Sequence, residues 1–264
     1  MAESRFDPMM SASPPGNPSD SGAQRLAIVI PAFNHGGTVA DVVRGALSWH
    51  LPVFVVDDGS TDGTSDRILS LGTPILLRHR KNLGKGTALL TGMAQAAEVA
   101  DWAITLDADG QHDPRDIGVF LANLPRSRRA ILVGRRSGMA AAPWSSRMGR
   151  EFSNFWVRVA GGPRTTDSQS GFRAYPLPEV FHLDARARRF QFEVEVLVRA
   201  CWAGIPTIEV PVGVSYGKSG PRISHFRPMV DFLRNSATFC RLITRRVFTP
   251  SLWSACPSLE GDWK

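Results

Sequence analysis

Two aspartates separated by one residue, Asp107 and Asp109, close an apolar run that begins at Trp102. In extended backbone, residues two apart point the same way, so both carboxylates can face one hard cation. Magnesium and manganese take oxygen ligands and are commonly shared with substrate phosphates. A divalent ion held there would screen a diphosphate and stabilise it as a leaving group. Gln111 and His112 follow at once, and Gln111 is a candidate further ligand or outer contact. An Asp-x-Asp triplet alone also describes an Asp-rich turn, so its surroundings decide its meaning.

Those surroundings carry related chemistry. Asp57-Asp58-Gly59-Ser60-Thr61-Asp62-Gly63-Thr64 joins carboxylates to a Gly-bearing turn that leads into a helix. A carboxylate at a strand end can accept hydrogen bonds from a base or ribose, which assigns Asp57 or Asp58 to a ligand; Asp62 suits the capping of the helix. Asn82-Leu83-Gly84-Lys85-Gly86-Thr87 opens a second helix. Glycines there let backbone N–H groups approach a ligand, and a helix N-terminus favours negative charge. Lys85 is the basic candidate of that loop, although a solvated lysine at a helix start has the same signature. The Walker A spacing fails, because residue 79 is His and Lys85 precedes Gly86. No GxGxxG follows the first apolar run, which argues against a dinucleotide site.

The elements that must position these residues are legible as alternation. Leu26–Ile30, Val53–Val56, Ile75–Leu77, Trp102–Leu106 and Ile131–Val133 are short apolar runs bounded by turn residues, and read as buried strands. Val39–Leu47, Thr64–Leu71, Lys85–Ala97 and Asp116–Leu124 carry helical patterns between them. Such alternation predicts an α/β fold with a largely parallel sheet and helices on both faces. Right-handed crossovers then gather the strand C-termini along one edge, where ligands bind. Pro31–Asn34, Asp57–Ser60 and Asp107–Gly110 each follow a strand at that edge, and three such clusters together imply a pocket.

Bulk properties set the outer bounds. A chain of 264 residues, 43% hydrophobic and 21% charged, suits one large domain. Lys and Arg number 31 against 24 acids, a net charge of +7 that favours anionic partners such as nucleotides, phospholipid surfaces or phosphorylated acceptors. Cys201, Cys240 and Cys256 lie far apart with no CxxC, which predicts free thiols rather than a zinc site or a disulfide framework. Residues 1–24, rich in Ser, Pro, Gly and Asn, read as a disordered tail without a signal-peptide core. No stretch approaches the roughly 18 apolar residues of a membrane span. The expected location is cytoplasmic, with at most peripheral contact on the inner face of the plasma membrane.

Taken in order, Pro31-Ala32-Phe33-Asn34, Val56 to Thr64, Asn82-Leu83-Gly84-Lys85-Gly86 and Asp107-Ala108-Asp109-Gly110-Gln111-His112-Asp113-Pro114 resemble the family-2 glycosyltransferases. The resemblance is greatest to the dolichyl-phosphate mannosyltransferase-like or polyprenyl-phosphate glycosyltransferase branch, and it covers roughly residues 25–230. It implies a GT-A fold, a UDP- or GDP-linked sugar donor, Mg2+ or Mn2+, inversion at the anomeric carbon, and a lipid phosphate or glycan acceptor. No nucleic-acid partner is expected. By position, Pro31, Phe33 and Asn34 would line the base and ribose pocket, joined by Asp58 with Asp57 beside it. Asp107 and Asp109, with Gln111 near them, would hold the metal on the diphosphate. Asn34 stands where the family commonly has Glu, which loosens the inference about the base.

Asp167-Ser168-Gln169-Ser170-Gly171-Phe172-Arg173 resembles the family's acceptor-side segment. Asp167 could deprotonate a hydroxyl acceptor, or only orient groups if the acceptor is already a phosphate. Gln169 belongs to the same segment. Arg173 suits bidentate phosphate contact, and Arg135 and Arg136 after the fifth strand are further phosphate candidates. Glu193 and Glu195 read either as site residues or as the solvated face of a helix. Lys218 and Arg222 sit in a Gly/Pro-rich loop past the strand Thr207–Val212, near where the family folds a loop over the diphosphate. Met229, Val230, Leu233, Ala237, Cys240, Ile243 and Val247 recur at helical spacing among arginines, predicting an amphipathic helix over 227–248. It either packs on its own domain or lies on anionic lipid. The expected layout is therefore a tail at 1–24, a GT-A domain at 25–226, this helix, and an irregular tail at 249–264.

Two readings from other classes remain at this point. A sugar-phosphate nucleotidyltransferase should carry a Gly-rich basic signature after the first strand, where this chain has Pro31–Asn34. A non-catalytic nucleotide-binding module would not need both Asp107 and Asp109.

Overall fold

Short β-branched runs pair as strands because both of their faces can be buried at once, and here helices cover both sides. The computed structural model describes residues 24–126, 128–137, 144–214, 228–253 and Cys256. The stretch 1–23, the loop candidates Lys218 and Arg222, and most of 254–264 lie outside the described residues.

Strands β1 (Leu26–Ala32), β2 (Val53–Asp57), β3 (Ile75–Arg78) and β4 (Trp102–Thr105) alternate with helices α1 (Val39–Leu47), α2 (Thr64–Leu69) and α3 (Lys85–Ala96). A 3-10 turn (Pro114–Asp116) leads into α4 (Ile117–Asn123) and β5 (Ile131–Arg136). The second half contributes α5 (Trp144–Val159), β6 (Arg173–Pro176), α6 (Glu179–His182), α7 (Gln191–Trp202), β7 (Thr207–Val212) and α8 (Pro228–Phe248). The sheet runs β3-β2-β1-β4-β6-β5-β7, parallel except for β6, which is antiparallel to both β4 and β5.

Period-2 alternation divides the strand residues between two cores. Ile28, Ile30, Trp102, Ile104, Leu132 and Ala174 face α1, α2 and α4, where Val43, Ile68 and Phe120 fill the layer. Ala27, Val29, Ala103, Ile131 and Tyr175 face α3 and α7, against Leu89, Met93, Phe192 and Val196. A third cluster joins α5, α7 and α8 through Val157, Val198, Phe239 and Leu242.

Three expectations need correction. The inward face of α8 is Thr238, Phe239 and Leu242, whereas Leu233 and Val247 stand 63% and 55% exposed. The apolar stripe read from the sequence therefore points largely outward; the helix uses a neighbouring stripe to meet Val157 and Val198. Glu193 and Glu195 are not a solvated face, because every residue of α7 from Gln191 to Cys201 is buried. Cys201 and Cys256 are joined in a disulfide with Cα atoms 4.9 Å apart, since the segment after α8 turns back to the end of α7; Cys240 remains a free thiol. A separation of 55 residues gave no local signal of that pairing. No helix among the described residues is long and apolar enough to cross a membrane.

Glu195 is the anchor of this half of the molecule. Fully buried, it accepts from Arg199 Nε (2.8 Å), Arg241 Nη2 (2.9 Å) and the backbone N–H groups of Arg186 (3.1 Å) and Ala187 (2.7 Å). One carboxylate thus ties α7 to α8 and to the loop before α7. Removing one partner of a buried ion pair leaves the other uncompensated, so Glu195→Ala should cost about 3–5 kcal/mol. Urea unfolding at unchanged m-value measures this, and a loss under about 1 kcal/mol would mean that Arg199 and Arg241 are satisfied without it.

Candidate functional site

The ends of β1, β2 and β4 are stitched into one rim. Asn34 adopts a left-handed conformation (φ 53°), which an Asn tolerates better than most residues. Its N–H donates to Ser60 Oγ (2.9 Å), and its Oδ1 accepts from the Thr61 N–H (2.9 Å). Asp62 accepts from the N–H groups of Gly36 (2.9 Å) and Thr64 (3.1 Å), so it caps the start of α2 and also binds the β1 loop. Thr38 Oγ1 donates to the Ala108 carbonyl (2.6 Å), bringing in the β4 loop. Pro31 is buried in register with Val56, and Phe33 is half-buried beside Asn34.

The β2 carboxylates are turned inward. Asp57 is fully buried and accepts from the Ser60 N–H (2.8 Å) and the Ser65 hydroxyl. Asp58, 2% exposed, accepts from the N–H groups of Leu83 (2.9 Å) and Gly84 (2.7 Å) and meets His79 Nδ1 at 2.7 Å. These contacts hold the β2 turn and the loop before α3. The glycines of that loop also serve the protein. Gly84 has φ +102°, and a Cβ there would stand 2.5 Å from the Arg188 carbonyl; at Gly86 it would stand 2.7 Å from that of Ala187. The backbone that approaches this loop is the segment before α7.

Charge is concentrated at Lys85. Its Nζ lies 2.7 Å from Asp107 Oδ1 and 2.6 Å from Glu193 Oε1, and 5.8 Å from the Phe190 ring centroid. Burial pulls the ammonium pKa down, but Asp107 and Glu193 outweigh it and the group is held above its ordinary value. Asp107 shows the converse: burial opposes ionisation, and Lys85 reverses that to keep the carboxyl below the usual range. Asp109 is pushed up, first by burial and then by the neighbouring Asp107; a hydrogen bond from the Gln111 N–H (3.0 Å) opposes this. The two acids thus repel one another, with the lysine on Asp107 alone. His112 is 5% exposed, stacks edge-on against Phe172 (5.3 Å), and leaves a buried Nδ1 without a hydrogen bond. Gly171 closes the wall. A Cβ there would lie 2.6 Å from Lys85 Nζ and closer still to the Asp107 carboxylate. Among the described residues, no three His, Cys, Asp or Glu side chains gather into a self-sufficient metal site.

The acceptor-side segment is built differently from the expectation. Asp167 is fully buried, and Arg136 holds both of its oxygens at 2.7 Å in a bidentate pair. Both oxygens are thus engaged by one guanidinium. Arg173 is fully buried and donates to the carbonyls of Ser170 (2.7 Å), Ser168 (2.8 Å) and Glu193 (2.7 Å). It is a strut between the 168–171 turn and α7, not a phosphate clamp, because its fork is spent on the main chain. Gln169 is half-buried in that turn, and Arg135 is exposed at the end of β5. Glu209 was missed altogether: it accepts from Thr165 Oγ1 (2.5 Å) and the Thr166 N–H (2.6 Å), fixing the segment before Asp167. Glu193 and His79 were no easier to place, since their roles depend on partners 108 and 21 residues away.

The model of glycosyl transferase family 2 matches residues 27–178. A UDP-N-acetylglucosamine–dolichyl-phosphate N-acetylglucosaminyltransferase of Methanococcus voltae is 30% identical over 215 residues, covering 72% of this chain and 86% of that protein. Among solved structures, glucosyl-3-phosphoglycerate synthase from Mycobacterium tuberculosis, crystallised with Mn2+, UDP and glucosyl-3-phosphoglycerate, superposes with a TM-score of 0.61 at 19% identity. That match spans 92% of this chain and 88% of the synthase. Mannosyl-3-phosphoglycerate synthase from Rubrobacter xylanophilus gives 0.59 at 17% identity, over 85% of this chain and 74% of that one. At these identities the two structures speak to the fold, which is GT-A.

Space at Gly171 is what lets Lys85 meet Asp107. Gly171→Ala should therefore destabilise the protein by about 1–3 kcal/mol, the range for overpacking a filled site. Gly149→Ala, in α5 where a Cβ meets nothing within 4 Å, should stabilise by up to about 1 kcal/mol through helix propensity. Paired thermal-unfolding measurements test the contrast, and equal effects at the two glycines would contradict it.

Proposed function

The chain belongs to glycosyl transferase family 2, and from that premise we propose that it moves a sugar from a nucleotide-diphosphate donor to a lipid-linked phosphate acceptor, with Asp107 and Asp109 on the donor side. The observation that carries this reading is the arrangement at the end of β4. Two acids sit together at the ligand-binding edge of the sheet, and burial, with the neighbouring Asp107, holds the Asp109 carboxyl above its ordinary value. Like charges kept in such proximity fit a divalent cation between them. The orphaned Nδ1 of His112 beside them is a further unspent donor or acceptor. Two carboxylates, with Gln111 nearby, leave room for phosphate oxygens and water, which is how Mg2+ is ordinarily bound. When bound, Mg2+ or Mn2+ screens the charge of the departing diphosphate.

Pro31, Phe33 and Asn34 supply the base and ribose wall of this reading, with Asp57 and Asp58 behind them fixing the loops. The acceptor oxygen attacks the anomeric carbon, the bond from that carbon to the diphosphate breaks, and the nucleoside diphosphate leaves, giving inversion in one displacement. The state of Asp167 favours a phosphate over a hydroxyl acceptor. A hydroxyl needs a base, and Arg136 occupies this carboxylate on both oxygens; a phosphate monoester is ionised at neutral pH and attacks without one. Arg135 and Gln169 stand on the acceptor side of this scheme. The relative from Methanococcus voltae is named for transfer to dolichyl phosphate. A lipid acceptor also gives a use to the outward apolar residues of α8, Leu233, Val247 and Phe248, with Arg245 on the same helix: they suit peripheral contact with an anionic bilayer.

Transfer of radiolabelled sugar from UDP- and GDP-linked donors to polyprenyl phosphate, followed by butanol–water partition, tests the reading. Label should enter butanol only with Mn2+ or Mg2+ and disappear on chelation with EDTA. Asp109→Asn should lower transfer roughly 100-fold or more, the scale for removing one charge that stabilises a transition state, at an unchanged melting temperature. Full activity in that variant removes the metal role from Asp109, and label confined to the aqueous phase removes the lipid acceptor.

A further inference from the structure

Glu193 takes no part in the scheme above, yet it is built into the same site with unusual rigidity. It enters from α7, 108 residues after Lys85, and its carboxylate lies 2.6 Å from the lysine Nζ. It is 4% exposed. Its own carbonyl is pinned by Arg173 Nη1 at 2.7 Å, and that arginine is itself fully buried. The opposite side of the ammonium is taken by Asp107 (2.7 Å), and Gly171 keeps the gap at the size of this pair. The lysine is therefore suspended between two carboxylates, one rigidly mounted on the scaffold and one at the ligand-binding rim.

This geometry has a consequence for anything that takes Asp107. An ammonium whose side chain is only 15% exposed cannot release a single counter-charge cheaply, because an unpaired charge shielded from water is costly. A second carboxylate removes that obstacle. We propose that Glu193 is a positioning residue of the donor site: it gives Lys85 a second seat, so that Asp107 can pass to a divalent cation without stranding the lysine. The inference rests on the reading of Asp107 as a donor-side carboxylate. Glu193 acts through Lys85 and does not itself meet the cation.

The test is calorimetric binding of UDP, and in parallel GDP, to the full chain across a series of Mn2+ concentrations, so that no catalytic turnover is needed. E193Q keeps the shape but removes the charge. It should raise the Mn2+ concentration for half-maximal nucleotide binding by about tenfold or more, the scale for losing an outer partner of a metal ligand. E193D, which keeps the charge, should recover most of that shift. In a K85M background E193Q should add less than about twofold, since the residue through which it acts is gone. A purely structural role would lower the melting temperature and leave the Mn2+ dependence alone, and that result overturns the proposal. So does an equal shift from E193Q with and without Lys85. If E193Q does not fold, E193A and K85M form the same cycle: non-additive shifts support the role and additive ones overturn it. Wild-type protein whose UDP and GDP binding ignores Mn2+ overturns the donor-site reading itself. Wild-type protein that responds while E193Q behaves identically overturns the role of Glu193 alone.

Discussion

A buried carboxylate must be answered by a donor or a positive charge, and the rim of this sheet holds several at once. How each is answered sorts scaffold from reactive group. Asp57 is answered by a backbone N–H and a serine hydroxyl, Asp58 by two backbone N–H groups and His79, and Asp167 by a two-point clamp from Arg136. In each case both oxygens are engaged, and the group acts as a peg for a loop. Asp107 is answered by a lysine that it shares with Glu193. Asp109 has the weakest answer, one hydrogen bond from the N–H of Gln111 with the charge of Asp107 beside it. The charge is left least balanced where the chain passes from β4 into its loop.

That sorting also explains what could be read from the sequence and what could not. The β1, β2, β4 and β5 runs were legible because a strand buried on both faces has to be largely apolar, and turn residues mark its ends; β3 and β7 are edge strands, only partly buried, with Ile75 46% exposed, so the expectation of a buried third strand does not hold. The clusters after β1, β2 and β4 were legible because each is a burst of polar residues directly after an apolar run. Within the clusters the residues lost their individual meaning. Asp57, Asp58 and Asp109 are the same side chain after the same kind of strand, and only the three-dimensional neighbours separate a loop peg from a ligand group. Arg173 failed for the same reason: a guanidinium that suits a phosphate suits three carbonyls equally well.

The second half was harder because its order is non-local. β6 is four residues long and antiparallel in an otherwise parallel sheet, so no strand–helix rhythm announces it. Helix α7 carries Glu193 and Glu195, which read either as site residues or as a solvated face until the partners are known, and both are buried. On α8 several stripes compete. Phe239 and Leu242 go inward, while the apolar run through Leu233 and Val247 stays out. Helical spacing says that a face exists but not which neighbour will claim it.

The two halves meet through α7, and this decides how rigid the donor loop can be. The loop before α3 is held from one side by Asp58 and from the other by the segment before α7, whose Arg188 carbonyl accepts from the Thr87 N–H (3.1 Å). Glu195 holds that segment by the N–H groups of Arg186 and Ala187, and holds α8 by Arg241. A single turn of one buried helix thus carries the two glutamates, pointing to opposite sides, with distinct duties. Glu195 sets where the outer helix and the loop stand, and Glu193 meets the lysine at the rim. Because α7 is packed along its whole length, the outward face of α8 and the position of Lys85 are fixed relative to one frame.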